Sequence, residues 1–439
     1  LAQPGYPMAS SAIELREGGV YRIYGPLSFE IVEGEVFFLG RILKRGERAF
    51  VPKDRTYAAK SIAPSRVRIS GDGRVEEAEP VEEAIDDWRE LCERLLSQRI
   101  ESVLVIGGTD SCKSTFATFL ANYAIDRELR VAVIDGDVGQ IDVGIPGTIS
   151  LALVDRHICS LRELEPYRCY FVGSKSPTGR EHTVICALSS LLSSARDLRV
   201  DLVVVNTDGW ILGYKARAYK LSIIKALRPS AVVVMEGRGE AAPVYRALER
   251  AGYRVFLAKT PIQEGKDREL RKERRELAFL DFIMSSKRKK VSLERTSLVD
   301  LPLFCGESLE REELERISKI VGRSVVHCEK LEDSIVAVVR GGAKLGEVEA
   351  AAAKEALGVR HIMLIPEGSL KGALVGLFSI DFECLGAGII VSIDYRSRCV
   401  HLLTRPDLEE ERVRFLEIGE LRVLPDGQEA SIGRLVYSY

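Results

Sequence analysis

Along the first 78 residues apolar and polar positions alternate in short runs, such as Val20-Tyr21-Arg22-Ile23-Tyr24 and Glu35-Val36-Phe37-Phe38-Leu39, broken by Gly18-Gly19, Gly25-Pro26 and Gly71-Asp72-Gly73. A period of two between turn residues predicts short half-buried strands, so residues 1–79 read as a small β-sandwich or barrel. At Pro80 the period changes. Val81, Ala84, Ile85, Trp88, Leu91, Cys92 and Leu95 recur every three or four positions, a single buried helical stripe that makes 80–97 a connecting helix. From 98 to 290 continuous apolar runs at 103–106, 131–134, 169–172, 202–206, 231–235 and 254–257 alternate with helical stretches. Strands with no polar face are buried on both sides, so the expectation is an α/β domain built on a mostly parallel sheet. After the basic run Lys287-Arg288-Lys289-Lys290 the pattern shifts again, to helices near 308–321 and 346–357 and strands at 334–339, 361–365, 373–378, 387–393 and 399–404. That predicts a carboxy-terminal β-rich α+β domain over 291–439.

Composition narrows the class. With 439 residues and 46% hydrophobic content the chain is long enough for two or three domains with a substantial core. No apolar run reaches the ~18–20 residues that span a bilayer, so no membrane association is expected. The start, Leu-Ala-Gln-Pro-Gly-Tyr-Pro, has neither a charged-then-apolar leader pattern nor a Met, which predicts a cytoplasmic chain that has been trimmed or processed. Nine cysteines without a Cys-x-x-Cys pair, and five histidines without metal-binding spacing, point away from a zinc site or a disulfide framework. A net charge of −2 excludes a generally basic nucleic-acid coat and leaves room for a local basic groove. Charged residues at 29%, with Asn122 and Asn206 the only asparagines, suit a heat-adapted protein.

The chemistry is concentrated after the run Val103-Leu104-Val105-Ile106, in Gly107-Gly108-Thr109-Asp110-Ser111-Cys112-Lys113-Ser114-Thr115. In a phosphate-binding loop, backbone N–H groups curl round the phosphates, lysine reaches the β- and γ-phosphates, the hydroxyl holds Mg²⁺ and a helix amino terminus faces the anion. Lys113 and Ser114 keep their places, whereas Cys112 stands where the pattern has glycine. If that position is left-handed, a Cβ costs about 1–2 kcal/mol, so weakened nucleotide binding is expected. A tight strand-to-helix turn would use glycines too, but a second motif argues against so bland a reading. The β-branched run 130–134 leads into Asp135-Gly136-Asp137-Val138-Gly139-Gln140. Carboxylates at the carboxyl end of a parallel strand face the ligand crevice, where one can serve the Mg²⁺ shell and the other accept a proton.

Two further segments follow strands and belong on the crevice side: Gly173-Ser174-Lys175-Ser176-Pro177-Thr178-Gly179 and Asn206-Thr207-Asp208-Gly209-Trp210. Trp210, in a glycine-flanked loop, either stacks on a base or packs beneath its own loop. Residues 266–275 carry Lys266, Arg268, Arg271, Lys272, Arg274 and Arg275 among three acids. They form either a solvated helix laced with ion pairs or a lid whose cations neutralise a transferred phosphoryl group.

Taken in this order, the motifs resemble those of the polynucleotide 5′-hydroxyl kinase family, which includes the kinase subunit of the pre-mRNA cleavage factor and the kinases of ribosomal-RNA processing; this chain looks like an archaeal-type member. The family order is a Thr-Asp-x-Gly-Lys-Ser-Thr loop, Asp-x-Asp-x-Gly-Gln, a Gly-x-x-Ser-Pro loop, Asn-Thr-x-Gly-Trp and a basic lid, here at 264–283. The resemblance implies transfer of the γ-phosphate of ATP, with Mg²⁺, to the 5′-hydroxyl of RNA, single-stranded DNA being the second candidate and any RNA-processing partner unspecified. Residues 107–115 would cradle the nucleotide, Lys113 would hold the terminal phosphates, Ser114 and Asp135 the metal, and Asp137 would be the general base. Gln140, Ser176, Pro177, Thr207, Gly209 and Trp210 would lie on the substrate side, and Lys266 and Arg271 would be the lid cations. Lysine at 266 keeps charge but loses the planar fork of arginine. The amino-terminal domain would help enclose the adenine, and Gly376-Leu377 and Leu385-Gly386-Ala387-Gly388 resemble strands of the family's third domain.

Two competing readings remain at this level. A nucleotide-binding scaffold without transferase activity is kept open by Cys112. A partitioning-type ATPase shares the Asp-x-Asp-x-Gly-Gln pattern, but Ile106 stands where that class commonly places a second lysine.

Overall fold

The computed structural model describes residues 11–261 and 268–439. The alternation at the amino-terminal end becomes two antiparallel sheets. Leu27, Phe29 and Ile31 point inward along Leu27–Glu33 while their neighbours are half-exposed. One sheet has the order Ser11–Leu15, Ser65–Ser70, Leu27–Glu33, Arg48–Val51, and the other Arg41–Leu43, Val36–Phe38, Thr56–Ser61, Val20–Tyr24, Arg74–Ala78. Their apolar faces share one core, in which Phe29 and Tyr57 each meet Phe38 edge-on at 5.0 and 5.9 Å. The connecting helix starts later than its stripe suggests. Pro80–Glu82 form a single 3₁₀ turn, and α1 spans Ile85–Ser97, burying Ile85, Trp88, Leu91, Cys92 and Leu95.

Six successive strands of the seven-stranded central sheet are β1 (Ser102–Ile106), β2 (Val131–Gly136), β3 (Thr148–Val154), β4 (Leu202–Thr207), β5 (Ala231–Met235) and β6 (Val255–Ala258), in the order β3-β2-β4-β1-β5-β6. Among these six every pairing is parallel except β2 with β3, a strand the apolar runs did not announce. Each residue of β1, β2, β4 and β5 is buried, which is why these strands lack alternation. The connecting helices are α2 (Lys113–Ile125), α3 (Glu181–Asp197), α4 (Gly213–Leu227) and α5 (Ala242–Arg250). In this register Asn206 of β4 stands beside Val105 of β1 on one side and Asp135 of β2 on the other, so the carboxyl ends of three strands converge on one point.

The division into compact units departs from the expected boundaries. The amino-terminal sheets, α1 and the central sheet form one unit; the second comprises Ile145–Thr148, Cys169–Ser176 and Glu269–Tyr439. The basic helix α6 (Arg268–Ser285), expected as a lid of the central domain, thus groups almost wholly with the carboxy-terminal residues. The run Lys287–Lys290 is part of strand Lys287–Ser292, at the edge of a sheet that continues through Cys399–Thr404, Cys384–Asp394, Ala373–Phe378, Phe415–Val423 and Ser297–Leu298. An edge strand tolerates successive lysines because one side stays in water, and charge there discourages pairing with other chains. A second sheet, Glu307–Ser308, Val325–Lys330, Ser334–Val339, His361–Pro366 and Tyr437–Ser438, shares a core with α7 (Arg311–Val321) and α8 (Glu347–Leu357).

Candidate active site

The loop between β1 and α2 has the conformation its sequence demanded. Cys112, at the amino end of α2, sits at φ 63°, ψ 21°, the left-handed region, and Asp110 is also left-handed at φ 58°. The cysteine therefore adopts the backbone that glycine would supply, with its thiol tucked into the apolar core. Gly107 is needed for closeness: a Cβ there would lie 2.8 Å from Met235 Cβ. Lys113 is buried and donates from Nζ to the Gly108 carbonyl at 2.7 Å, folding its ammonium back over the loop, and Ser111 Oγ donates to the same carbonyl at 2.8 Å. Burial lowers the Lys113 pKa, because a cation out of water is less favourable.

At the end of β2 the two acids differ in environment. Asp135 is fully buried. Its Oδ2 accepts from the backbone N–H of Asp142 (2.6 Å) and Val143 (3.1 Å), and its Oδ1 from Asn206 Nδ2 (2.9 Å). Burial, then the neighbouring charge of Asp142, pushes its carboxyl up to about 7. Asp142 goes the other way. Although buried, it is held below the usual carboxylate range by Arg55 at 2.6 Å and Arg162 at 2.9 Å. Asn206 links Asp135 to the loop, since its Nδ2 also donates to Ser114 Oγ at 3.2 Å, and its buried Oδ1 has no hydrogen-bond partner among the described residues. Asp137 accepts from the N–H of Gln140 (3.0 Å) and Gly139 (3.2 Å). Burial raises its pKa, while the charge of Lys113 pulls against the rise.

The loop after β4 forms a further wall. A Cβ on Gly209 would meet Thr109 Cα at 2.9 Å, so only glycine lets this loop rest on the phosphate loop. Asp208 is buried and accepts from Trp210 N–H, the Tyr219 hydroxyl (both 2.9 Å) and the ammonium of Lys220 (3.0 Å). Lys220, on α4, is wholly buried. These bonds set Trp210, half-buried, with its ring tilted 32° against Tyr219 at 5.4 Å. Trp210 is thus neither a core residue nor free of its loop: one face packs and part of the ring stays accessible.

The remaining candidates scatter. Thr207 is fully buried and its hydroxyl bonds the Val105 carbonyl at 2.9 Å, which places the side chain within the sheet rather than on the crevice wall. Gln140 is half-buried, with Nε2 donating to Gly139 O. Ser176 is half-buried and Pro177 buried. Arg271 is half-buried on α6. Lys266 lies outside the described residues. Sequence reasoning put Asn206 on the crevice side without a role and missed Asp142, Arg55 and Lys220 as parts of the site; it expected the amino-terminal domain to help enclose the adenine but named no residue of the cleft between the amino-terminal sheet and α2. That cleft is lined by Arg22, Tyr57, Glu83, Trp88, Thr115 and Pro261. Arg22 and Glu83 pair across it at 2.5 Å, and Trp88 Nε1 bonds the Lys259 carbonyl at 2.8 Å. The signal for it lay in Trp88, a large aromatic with a polar edge on a stripe of otherwise aliphatic residues.

Comparison with known proteins agrees with this geometry. Residues 107–285 match the family model described as the mRNA cleavage and polyadenylation factor CLP1 P-loop. A polyribonucleotide 5′-hydroxyl-kinase of Pyrococcus furiosus is 31% identical, over 79% of this chain and 95% of its own length. Another from Methanocaldococcus jannaschii is 28% identical over 76% and 91%. The structure titled as wild-type Clp1p with Pcf11p superposes with a TM-score of 0.62 at 11% identity, covering 94% of this chain and 98% of that one, a likeness of fold. The phosphate loop, the paired acids and a relative matched over nearly its whole length place this chain in the polyribonucleotide 5′-hydroxyl-kinase family.

Proposed function

We propose that this protein transfers the γ-phosphoryl group of ATP to the 5′-hydroxyl of an RNA strand. The observation that carries the reading is Asp137, a half-buried carboxylate just past the carboxyl end of β2, within the field of Lys113. In-line phosphoryl transfer asks the protein mainly for positioning and charge neutralisation, plus one group to receive the hydroxyl proton. Asp137 supplies that group. Its carboxylate is fixed by two backbone N–H bonds, and its raised pKa makes it a better base than a surface aspartate. Lys113, freed from the Gly108 carbonyl, would follow the terminal phosphates.

The residues fit Mg²⁺. The donors gathered at the strand ends are oxygens, and the unpartnered Asn206 Oδ1 is a buried acceptor with no other occupation in its surroundings. Ser114 would be the direct protein ligand, with Asn206 and Asp135 behind it, because both Asp135 oxygens already accept from amides. The ion, when bound, supplies charge neutralisation on the phosphates. The cleft beside Thr115 supports an assignment to the adenine, with Trp88 and Tyr57 as apolar walls and the Arg22–Glu83 pair as a polar edge. The left-handed Cys112 favours activity over the scaffold reading, because the loop keeps the shape phosphate binding needs. Trp210, and by family resemblance Ser176, Pro177 and Gln140, would serve the RNA strand, and Lys266 and Arg271 the transferred phosphoryl group. Replacing Asp137 by Asn tests the base: turnover should fall by roughly 10²–10⁴-fold with the KM for ATP little changed. Unchanged turnover would dismiss the assignment.

A further inference from the structure

The second compact unit contains a buried carboxylate that the reaction as described does not use. Glu429 opens strand Glu429–Ser431, just after the turn Leu424-Pro425-Asp426-Gly427-Gln428, and its side chain is 4% exposed. It accepts a two-pronged bond from Arg275 of α6, Nε to Oε2 at 2.8 Å and Nη2 to Oε1 at 2.7 Å, and on Oε1 a third from Lys175 Nζ at 2.9 Å. Lys175 belongs to the Gly-Ser-Lys-Ser-Pro loop and Arg275 to the basic helix, two segments a hundred residues apart in sequence that meet on one carboxylate. Both arms have backbone support. Gly173 and Gly419 touch so closely that a Cβ on either would fall 2.8 Å from the other's backbone, and Glu420 N–H bonds the Gly173 carbonyl at 2.6 Å. On the other arm Gly427, left-handed at φ 84°, rests on α6, where a Cβ would lie 2.6 Å from the Glu276 carbonyl, and Glu429 N–H reaches Glu276 Oε1 at 3.3 Å. The carboxylate is held well inside its ionised range: burial alone would raise its pKa, but Arg275 and Lys175 bring it to about 2.

We infer that Glu429 is a positioning residue that clamps the Gly173–Ser176 loop and the basic helix to the hairpin 415–431, so that the substrate-side loop and the helix of the lid cations move as one body. A buried, doubly bonded ion pair is a poor source of stability compared with apolar packing of the same volume, and its best-attested use is to fix one arrangement among several. Here the arrangement fixed is that of two segments which the family resemblance assigns, the loop to the RNA substrate and the helix to the transferred phosphoryl group. This inference rests on the kinase reading for its consequence in activity, but not for the clamp itself.

The test separates the two. Hydrogen exchange on Glu429→Gln should show faster exchange at 172–176 and in the first two turns of α6 together, at least tenfold in each. Lys175→Met, whose side chain is 44% exposed and whose loss threatens folding less, should loosen 172–176 and leave most of α6 as it was. In kinase assays Glu429→Gln should raise the KM for 5′-hydroxyl RNA about tenfold or more and leave the KM for ATP within twofold. The double variant Lys175→Met/Glu429→Gln should lose no more than Glu429→Gln alone. Exchange that is unchanged, or faster in only one of the two segments, overturns the clamp. Equal rises in both KM values would mark a merely structural role and overturn it as well. If the wild-type protein phosphorylates no RNA while Glu429→Gln still loosens both segments, it is the kinase reading that falls and the clamp that stands.

Discussion

Restoring glycine at position 112 should change little. The backbone there is already left-handed, at φ 63° and ψ 21°, a conformation that costs a non-glycine residue about 1–2 kcal/mol, which Cys112→Gly would recover. Against this stand two losses. Glycine makes the unfolded chain more flexible by about 0.4–1 kcal/mol. The Cys112 side chain, 8% exposed within the main core, also takes its own burial with it, about 1–1.5 kcal/mol for a methylene and a thiol. The terms nearly cancel, so the net change in stability should lie within about 1.5 kcal/mol of zero. Because the loop shape is the same in both variants, kcat and the KM for ATP should each move less than threefold. Cys112→Val is the contrasting perturbation: a β-branched residue is a true outlier at positive φ and should both destabilise the fold and impair nucleotide binding. The assay is thermal unfolding with and without ATP, beside steady-state phosphoryl transfer. A gain in turnover above tenfold for the glycine variant would refute this reasoning and revive the scaffold reading.

Three other outcomes follow from the site. Trp210→Ala should raise the KM for RNA by about 5–100-fold, the range expected for one lost stacking contact, and leave the KM for ATP nearly unchanged; equal effects on both would mean that the ring serves only its packing on Tyr219. Asp135 should impose a pH dependence on stability without ligand. Its folded pKa of about 7 lies above its unfolded value, so its contribution is fully present below pH ~4 and is lost as pH rises through 7. The Tm of Asp135→Asn relative to wild type should therefore climb between about pH 4 and 7 and level off above, as followed by calorimetry, and a flat difference would remove the raised pKa. Finally, Asn206→Ala should weaken Mg²⁺ binding, seen as a higher Mg²⁺ concentration at half-maximal rate, whereas an unchanged Mg²⁺ curve would confine Asn206 to holding the sheet together.

What could be read from the chain beforehand was whatever is local. The phosphate loop, the strand-end acids and the alternation of strands and helices each sit in a few consecutive residues, and their types are dictated by backbone shape or by burial on both faces. What could not be read depends on register or on distant partners. Asn206 bridges Ser114 and Asp135 only because β4 lies between β1 and β2. Asp142 carries no local signal, because its neutralising partner Arg55 comes from a connection between amino-terminal strands 87 positions away. Lys220 reads as a solvated helix position, yet it is buried because Asp208 offers it both a carboxylate and a carbonyl. The basic run 287–290 marked a change of pattern without announcing a strand, because edge strands and solvated loops share a composition. Gly173 and Gly419, 246 residues apart, carry no mutual signal in sequence although each needs the other to be glycine.

The central claim is tested most directly by incubating the protein with Mg²⁺, ATP labelled in its γ-phosphate and a short RNA bearing a 5′-hydroxyl, with Lys113→Ala in parallel. Label should appear at the RNA 5′ end with the wild-type chain and be absent with Lys113→Ala. ATP binding without any transfer by the wild-type chain would contradict the assignment of Asp137 and the phosphate loop to a polynucleotide kinase.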